Sequence, residues 1–345
     1  MGPPLGVWHQ RLPRAQPAGN AAFRATWCET SSGIGLRHET RAEVVALRRT
    51  AGQTAVVSAD QPLFRFGLIA DVQYADDDVN VDLDRHYRAS QTKLAAAIAD
   101  FEQEPLEFVV HLGDLVDHDL SNVPAMLDPM DASSLNFLQV LGNHDFSHEG
   151  GTGVYDPATV CEAIGLTDPY YSFDYRGWRF VVLNTNEVGV IATQPGTPEH
   201  AEGERLLRQV RAADRVNGNP WNGTIGRTQR AWLEDLLTDA HQQHLRTIVF
   251  AHHPVFPDHH DNLLDDVELR DWLAGFPSLT AWINGHQHQG NYGRYRDVHY
   301  LTLAGVVQTA NRNAYAVASV YADRIEIAGR DREPSRTLRV VERDV

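Results

Sequence analysis

Five short polar motifs, each placed directly after an apolar segment, constrain this chain more than any other feature of its sequence. In chain order they are Asp71-Val72-Gln73, Gly113-Asp114, Gly142-Asn143-His144-Asp145, His252-His253-Pro254 and Gly285-His286-Gln287-His288. The segments before them, such as residues 64–70 and 108–112, have the short apolar character of buried strands. Because the carboxyl ends of strands in parallel or mixed sheets lie along one edge, we expect the five motifs to converge on one crevice.

The residue types in these motifs are those that bind divalent metal ions. Taken singly, each motif is weak evidence, since a Gly-Asp pair is commonly a turn and a histidine before proline is commonly structural. Together they bring carboxylate, amide and imidazole groups, which are ligands for Mn, Fe, Co, Zn or Mg ions. A carboxylate such as that of Asp114 can bridge two ions. The ordered set therefore predicts a metal site at the edge of a sheet.

The pattern between the motifs predicts an α/β fold. Apolar residues at helical spacing predict helices over residues 84–102 and 228–240. Further strands are predicted at residues 137–141, 179–184, 247–251, 280–284 and 299–303, with a closing β-hairpin over 314–327. Three long polar stretches, 117–134, 148–168 and 188–225, are interpreted as loops or lids in which substrate specificity would reside.

Composition separates the chain into two parts. Residues 1–60 mix Pro, Gly, Arg and Ala without periodicity, which predicts a disordered or loosely attached extension. The catalytic domain is predicted to span residues 61–345, and the whole chain, with 42% apolar content over 345 residues, can bury a sizeable core. No apolar run approaches the roughly 20 residues needed to cross a bilayer. No secretory signal is recognisable either, so a cytoplasmic location is predicted.

The formal net charge of -16 bears on the partners that the chain can bind. Such a field repels nucleic-acid backbones unless a basic patch overrides it, and the sequence contains no lysine- or arginine-rich run. Neither a nucleic acid nor a membrane is therefore expected as a partner. Nearly all basic residues are arginine, with Lys93 as the only lysine, a bias that suggests a GC-rich bacterial source.

The ordered motifs resemble the signature of the calcineurin-like metallophosphoesterase superfamily over residues 66–290. The segment Asp-Val-Gln-Tyr-Ala-Asp at residues 71–76 is similar to one branch, the Mn-dependent ADP-ribose/CDP-alcohol diphosphatases. Further similarity to that branch lies in residues 86–88, 169–173, 221–223, 229–233, 290–292 and 299–307. The resemblance implies a four-layer α/β/β/α sandwich of two mixed β-sheets flanked by helices.

The same resemblance implies two divalent metal ions, with Mn expected and Mg, Fe, Co or Zn as alternatives. Its ligand set divides over two sites that share one carboxylate. The first ion would be held by Asp71, Gln73, Asp114 and His288. The second would be held by Asp114, Asn143, His252 and His286.

Two positions in this ligand set depend on comparison with the pattern of the family. Gln73 stands where most of the superfamily has histidine, and its neutral amide oxygen is a harder donor, so we hypothesise that the first site favours Mn or Mg. The choice of His252 over His253 rests on the His-x-Pro spacing of the family. His253, His259 and His260 are expected to lie in solvated loops without a ligand role.

The implied activity is cleavage of the diphosphate linkage in small nucleotide conjugates, such as ADP-ribose or CDP-alcohols, by metal-activated hydroxide. His144 would contact the phosphoryl oxygen or protonate the leaving group, and Asp145 would orient its ring. Aromatic residues that could stack on a base or belong to the core are Tyr74, Tyr170, Tyr171 and Trp221.

Two other functions remain open from the sequence. One is phosphodiesterase or phosphomonoesterase action on another small substrate, such as a cyclic nucleotide or a glycerophosphodiester. The other is a non-catalytic scaffold that keeps the fold without its metals. In the enzyme readings the expected partner is a small-molecule phosphate substrate, and the oligomeric state is left open.

Overall fold

The fold is described for residues 61–148 and 153–341 of a computed structural model. The predicted extension over residues 1–60 lies outside the described residues. Within the described part, no helix combines the length and the apolar character that crossing a membrane requires.

The secondary structure alternates between strands and helices along the chain. The strands are β1 Phe64–Ile69, β2 Phe108–His111, β3 Phe137–Gln139, β4 Tyr171–Tyr175, β5 Trp178–Val182, β6 Arg246–Phe250, β7 Leu279–Asn284, β8 Gln289–Tyr295, β9 Val298–Ala304, β10 Ala314–Val320, β11 Arg324–Asp331 and β12 Arg336–Arg339. The helices are α1 Ala89–Phe101, α2 Val123–Ala132, α3 Pro157–Ile164, α4 Pro198–Ala212, α5 Arg227–Gln242 and α6 Asp266–Leu273.

The strands form two six-stranded mixed sheets. The first has the order β12-β11-β10-β1-β2-β3, in which β1, β2 and β3 are parallel. The second has the order β4-β5-β6-β7-β9-β8, in which β5, β6, β7 and β9 are parallel. The carboxyl ends of β1, β2, β3, β6 and β7 lead into the five motifs.

The main core lies between the two sheets. In β1, Phe66 and Leu68 point into this layer, whereas Ile69 belongs to the cluster on the opposite face. From the second sheet, Phe180 and Phe250 face Phe66, with ring centroids 6.0 and 5.9 Å from its ring. The alternation of side chains along a strand thus gives each sheet two buried faces.

Helices cover the outer face of each sheet. Leu94 and Phe101 of α1 pack with residues of α2 and α3 against Ile69 of the first sheet. Leu233 and Leu237 of α5 pack with residues of α6 against the second sheet. The expected four-layer α/β/β/α sandwich is therefore confirmed.

The predicted elements agree with the structure in their cores and differ at their ends. The helix predicted from residue 84 begins at Ala89, because residues 80–85 form a turn closed by a bridge between Asn80 and Arg85. The interpretation of the three polar stretches as loops was incomplete, since they contain α2, α3 and α4.

Candidate metal centre

The seven predicted metal ligands meet where the parallel strands of both sheets end. Asp71 and Gln73 follow β1, Asp114 follows β2, Asn143 follows β3, His252 follows β6, and His286 and His288 follow β7. All seven side chains are buried except that of His286, which is half-buried. The convergence expected from the order of the motifs is thus found in the structure.

Four of these ligands occupy an unusual backbone conformation. The φ angles of Asp71, Gln73, Asp114 and His286 are 51, 47, 56 and 68°. Residues other than glycine rarely adopt positive φ, and such strain collects at functional sites that the surrounding structure holds in place. Beside them, Gly142 approaches Asp114 so closely that a Cβ atom would overlap its amide nitrogen and carboxylate.

One group of ligand atoms surrounds Nε2 of His252. This nitrogen lies 3.0 Å from Oδ1 of Asn143, 3.3 Å from Oδ2 of Asp114 and 3.1 Å from Nδ1 of His286. Nδ1 of His252 lies 2.9 Å from the Leu112 carbonyl oxygen, which accepts its hydrogen bond. A cation at Nε2 would require the tautomer in which Nδ1 keeps its proton, and the Leu112 carbonyl oxygen is placed to hold that proton.

A second group consists of Asp71, Asp114 and His288, whose ligand atoms lie within 4.8 Å of one another. Nε2 of His288 is 3.6 Å from Oδ1 of Asp71. Asp114 belongs to both groups, as it must if its carboxylate is shared. Gln73 is buried beside them, and neither its amide oxygen nor its amide nitrogen has a hydrogen-bond partner among the described residues.

These unpartnered atoms indicate that the donors fit a pair of cations. A buried polar atom without a partner is costly, and Nε2 of His286 is in the same state as the Gln73 amide. Oxygen and imidazole donors of this kind suit divalent ions such as Mn. The structure therefore offers two neighbouring donor groups, joined by Asp114, that divalent ions would complete.

The charges at the site agree with this arrangement. Burial raises the pKa of Asp71 to about 7, with Asp114 adding to the effect and His252 opposing it. Burial lowers the pKa of His288 to about 3, and it also lowers the pKa of His286. These two imidazoles are consequently neutral at physiological pH and able to donate lone pairs to a cation.

His144 faces the cavity above the ligands and is held by Asp117. Nδ1 of His144 lies 2.8 Å from Oδ1 of Asp117. Burial alone would lower the pKa of His144, but the charges of Asp117 and Asp114 raise this pKa above its ordinary value. Burial alone would raise the pKa of Asp117, but His144 lowers this pKa below its ordinary value. The pair thus favours an imidazolium next to a carboxylate.

The expectation that Asp145 orients His144 is wrong. The Asp145 carboxylate instead accepts backbone hydrogen bonds from Gly142 and Leu115, both 2.8 Å, and from Asp114 and Val116, both 3.1 Å. It therefore ties the Gly113-Asp114 turn to the Gly142-Asn143 turn. Asp117 was not predicted from the sequence, although its position three residues after Asp114 was a usable signal.

Replacement of Asp145 by Asn is expected to destabilise the fold by on the order of 3 kcal/mol, because one of the two accepting oxygens becomes an NH2 group that faces buried amide donors. Urea denaturation of the metal-free protein would measure this change. Asp128→Asn, an exposed position on α2, is the matched control and should leave stability unchanged. Equal stability of the two variants would contradict the role assigned to Asp145.

Three histidines, His253, His259 and His260, lie outside the predicted ligand set. The expectation that His253 lies in a solvated loop is wrong, because it is fully buried, with Nδ1 2.8 Å from Thr185 Oγ1 and Nε2 3.1 Å from the Trp221 carbonyl oxygen. His259 and His260 lie in a loop, half-buried and exposed respectively. His253 therefore helps to hold the His252-His253-Pro254 motif in place.

The predicted ligands open into a cavity of about 1240 Å³. Asp114, Asn143, His286 and His288 lie on its lining, as does His144. Of the four aromatic candidates, Trp221 lines the cavity, and its Nε1 donates to Asp261 over 2.9 Å. Tyr171 instead packs against the core between the sheets, and Tyr170 lies 4.9 Å from the ring of Trp232.

The chain is similar to a family of phosphoesterases and to a dimetal phosphatase of known structure. The family model for calcineurin-like phosphoesterases matches residues 64–290. The "manganese-dependent ADP-ribose/CDP-alcohol diphosphatase" of Danio rerio is 28% identical over 322 residues, covering 81% of this chain and 99% of the relative. The protein of that name from Homo sapiens is 26% identical, covering 82% and 95%. A crystal structure of a dimetal phosphatase from Danio rerio superposes with a TM-score of 0.71 and 27% identity, covering 81% and 99%.

Proposed function

The chain belongs to the calcineurin-like phosphoesterase family and is a metal-dependent phosphoester hydrolase, and we propose that it cleaves the diphosphate linkage of small nucleotide conjugates. The observation that carries the proposal is the pair of donor groups sharing Asp114 beneath an open cavity. The candidate substrates are ADP-ribose and CDP-alcohols, the compounds in the names of the relatives.

The residues of the chain divide into those that hold metal and those that act on the substrate. Asp71, Gln73, Asp114 and His288 would hold one ion, and Asp114, Asn143, His252 and His286 the other. When bound, divalent ions supply Lewis acidity that activates water and offsets the charge of the phosphate. Manganese is the ion that we propose, because the relatives are named for it and the donors are oxygen and imidazole.

His144 is the residue that we propose for proton transfer. Its ring lines the cavity, and the contact of Nδ1 with Asp117 leaves Nε2 to meet the substrate. Asp117 favours the protonated ring, so Nε2 can donate a proton to the leaving phosphate oxygen. Asp145, proposed from the sequence as a catalytic residue, acts here through the two turns that carry Asp114 and Asn143.

The cavity is large enough to take a nucleoside in addition to the phosphates. Ligand sites for drug-sized molecules occupy about 300–1,000 Å³, and this cavity reaches about 1240 Å³. The indole of Trp221 is 37% exposed at its wall and offers an aromatic face to a base. These features support a nucleotide conjugate over a small phosphate monoester as the substrate.

The proposal is tested by hydrolysis assays on the metal-free protein supplied with Mn, Mg, Co or Zn. ADP-ribose, CDP-choline, a cyclic nucleotide and bis-p-nitrophenyl phosphate would be compared, with products separated by chromatography. Mn-dependent release of AMP or CMP is the expected result. Cleavage of only the cyclic nucleotide or the diester would overturn the diphosphatase assignment and keep the metal site. No hydrolysis with any of the four metals would indicate a non-catalytic scaffold.

Replacement of Gln73 by His is expected to shift the metal preference from Mn towards Zn, because imidazole is a softer donor than an amide oxygen. Competition between the two metals, read by elemental analysis of the dialysed protein, measures this shift. Gln289→His places an imidazole on the exposed wall of the same cavity and serves as the control. An unchanged Zn-to-Mn ratio in Gln73→His would remove Gln73 from the ligand set.

A further inference from the structure

The segment 305–309, which follows β9, lies directly behind two of the proposed ligands. The Gly305 amide donates to the His288 carbonyl oxygen over 3.0 Å, and the Val307 amide donates to that of Asp71 over 2.9 Å. A Cβ atom at Gly305 would lie 3.0 Å from Cγ of His288 and 3.1 Å from Cβ of Asp71. Any movement of this segment therefore reaches both ligands.

A side chain of the segment also contacts a ligand ring. Nε2 of Gln308 lies 3.1 Å from Nδ1 of His288 and donates to the Leu83 carbonyl oxygen over 3.0 Å. The partner of the second ring nitrogen fixes the orientation of a metal-binding histidine, and its loss weakens metal binding. Segment 305–309 thus positions both the backbone and the ring of His288.

The carbonyl groups of this segment are held from behind by Lys93 of α1. The Lys93 side chain is buried, and its Nζ donates to the carbonyl oxygens of Gln308 over 3.2 Å, Thr309 over 2.9 Å, and Val306. An ammonium group has three N–H donors, so all of them are directed at one short segment. Across residues 61–148 and 153–341, no carboxylate forms an ion pair with Lys93.

This use of a lysine is unusual in two respects. Lysine is almost never fully buried unless it is paired, and here the partners are backbone oxygens alone. It is also the only lysine among 345 residues, so its position is not one of many surface amines. An apolar side chain could fill the same space but would leave the three oxygens without their donor.

We propose that Lys93 is a positioning residue for the metal site formed by Asp71, Gln73, Asp114 and His288. Its three hydrogen bonds fix the path of segment 305–309, and that path sets the placement of Asp71 and His288. The inference rests on the proposed metal site and not on the identity of the substrate. It assigns Lys93 to one site of the two, because among residues 61–148 and 153–341 no hydrogen bond joins the segment to His252, Asn143 or His286.

The test is Mn binding to the metal-free full chain, measured by calorimetry and by the EPR signal of free Mn. Lys93→Met keeps the length of the side chain and removes its donors. We expect one of the two Mn sites to weaken by about 10-fold or more, as for the loss of other groups that orient ligands, while the other is unchanged. Hydrolysis should recover at saturating Mn, with an unaltered KM.

Arg312→Met is the matched control, because it removes a positive charge from the neighbouring, exposed part of the loop. Gln308→Leu should weaken the same site, and the double variant with Lys93→Met should lose less affinity than the sum of the single losses. If Lys93→Met does not fold, Lys93→Gln and Gln308→Leu carry the test. Unchanged Mn binding, or equal weakening of both sites, would overturn the inference. If the unsubstituted protein binds Mn at both sites but does not hydrolyse nucleotide conjugates, that result would count against the proposed substrate alone.

Discussion

Asparagine in place of Asp114 is expected to lower kcat/KM for the preferred substrate by about 10³-fold or more. Asp114 contributes to both donor groups, so its replacement would remove a ligand from both ions at once. Metal ions supply several kcal/mol of transition-state stabilisation, and each 1.36 kcal/mol corresponds to a factor of ten in rate. The amide keeps the size of the side chain and removes its charge, so the loss reports metal binding.

The measurement combines steady-state kinetics at several Mn concentrations with metal content after dialysis. Both sites should lose metal together in Asp114→Asn, whereas Asn143→Ala should affect one site first. Asp82→Asn is the control, because Asp82 is exposed and lines the same cavity. Retention of two Mn ions and of activity by Asp114→Asn would rule out the shared ligand.

The sequence predicted the central elements of the fold because their physical signals are strong. Strands such as β1 and β6 are buried on both faces and therefore appear as short continuous apolar runs. Helix α4 was missed, since its buried side chains are few and most of its residues are polar. Strand β8 was missed for a similar reason: it lies at a sheet edge, contains two glycines, and has no fully buried residue.

The site was predicted more completely than the contacts around it. The order of the five motifs is enough to bring seven donors together, because it depends only on where the parallel strands end. The order of the motifs does not predict the directions of the side chains around the site. Asp145 is adjacent to His144 in sequence but turns towards backbone amides, and Asp117, from another turn, reaches the ring. Only the tertiary structure decides between two such carboxylates.

Replacement of His144 by Gln is expected to lower kcat by about 10²-fold or more while leaving Mn binding unchanged. The imidazole lines the cavity and is absent from both donor groups, so its loss removes proton transfer and keeps the metals. Asp117→Asn should lower kcat in the same direction, because the ring loses the carboxylate that orients it and favours its protonated form. His148→Gln, at the rim of the same cavity, is the control.

The two substitutions should not be additive if the residues act as one unit. Once His144 is absent, Asp117 has no ring to orient, so the double variant should be about as active as His144→Gln alone. A substrate with a good leaving group, such as bis-p-nitrophenyl phosphate, needs little help from an acid and should be affected less by either change. Additive losses in the double variant would show that Asp117 and His144 act independently. Equal losses on both substrates would show that His144 contributes through binding of the phosphate and not through proton donation to the leaving group.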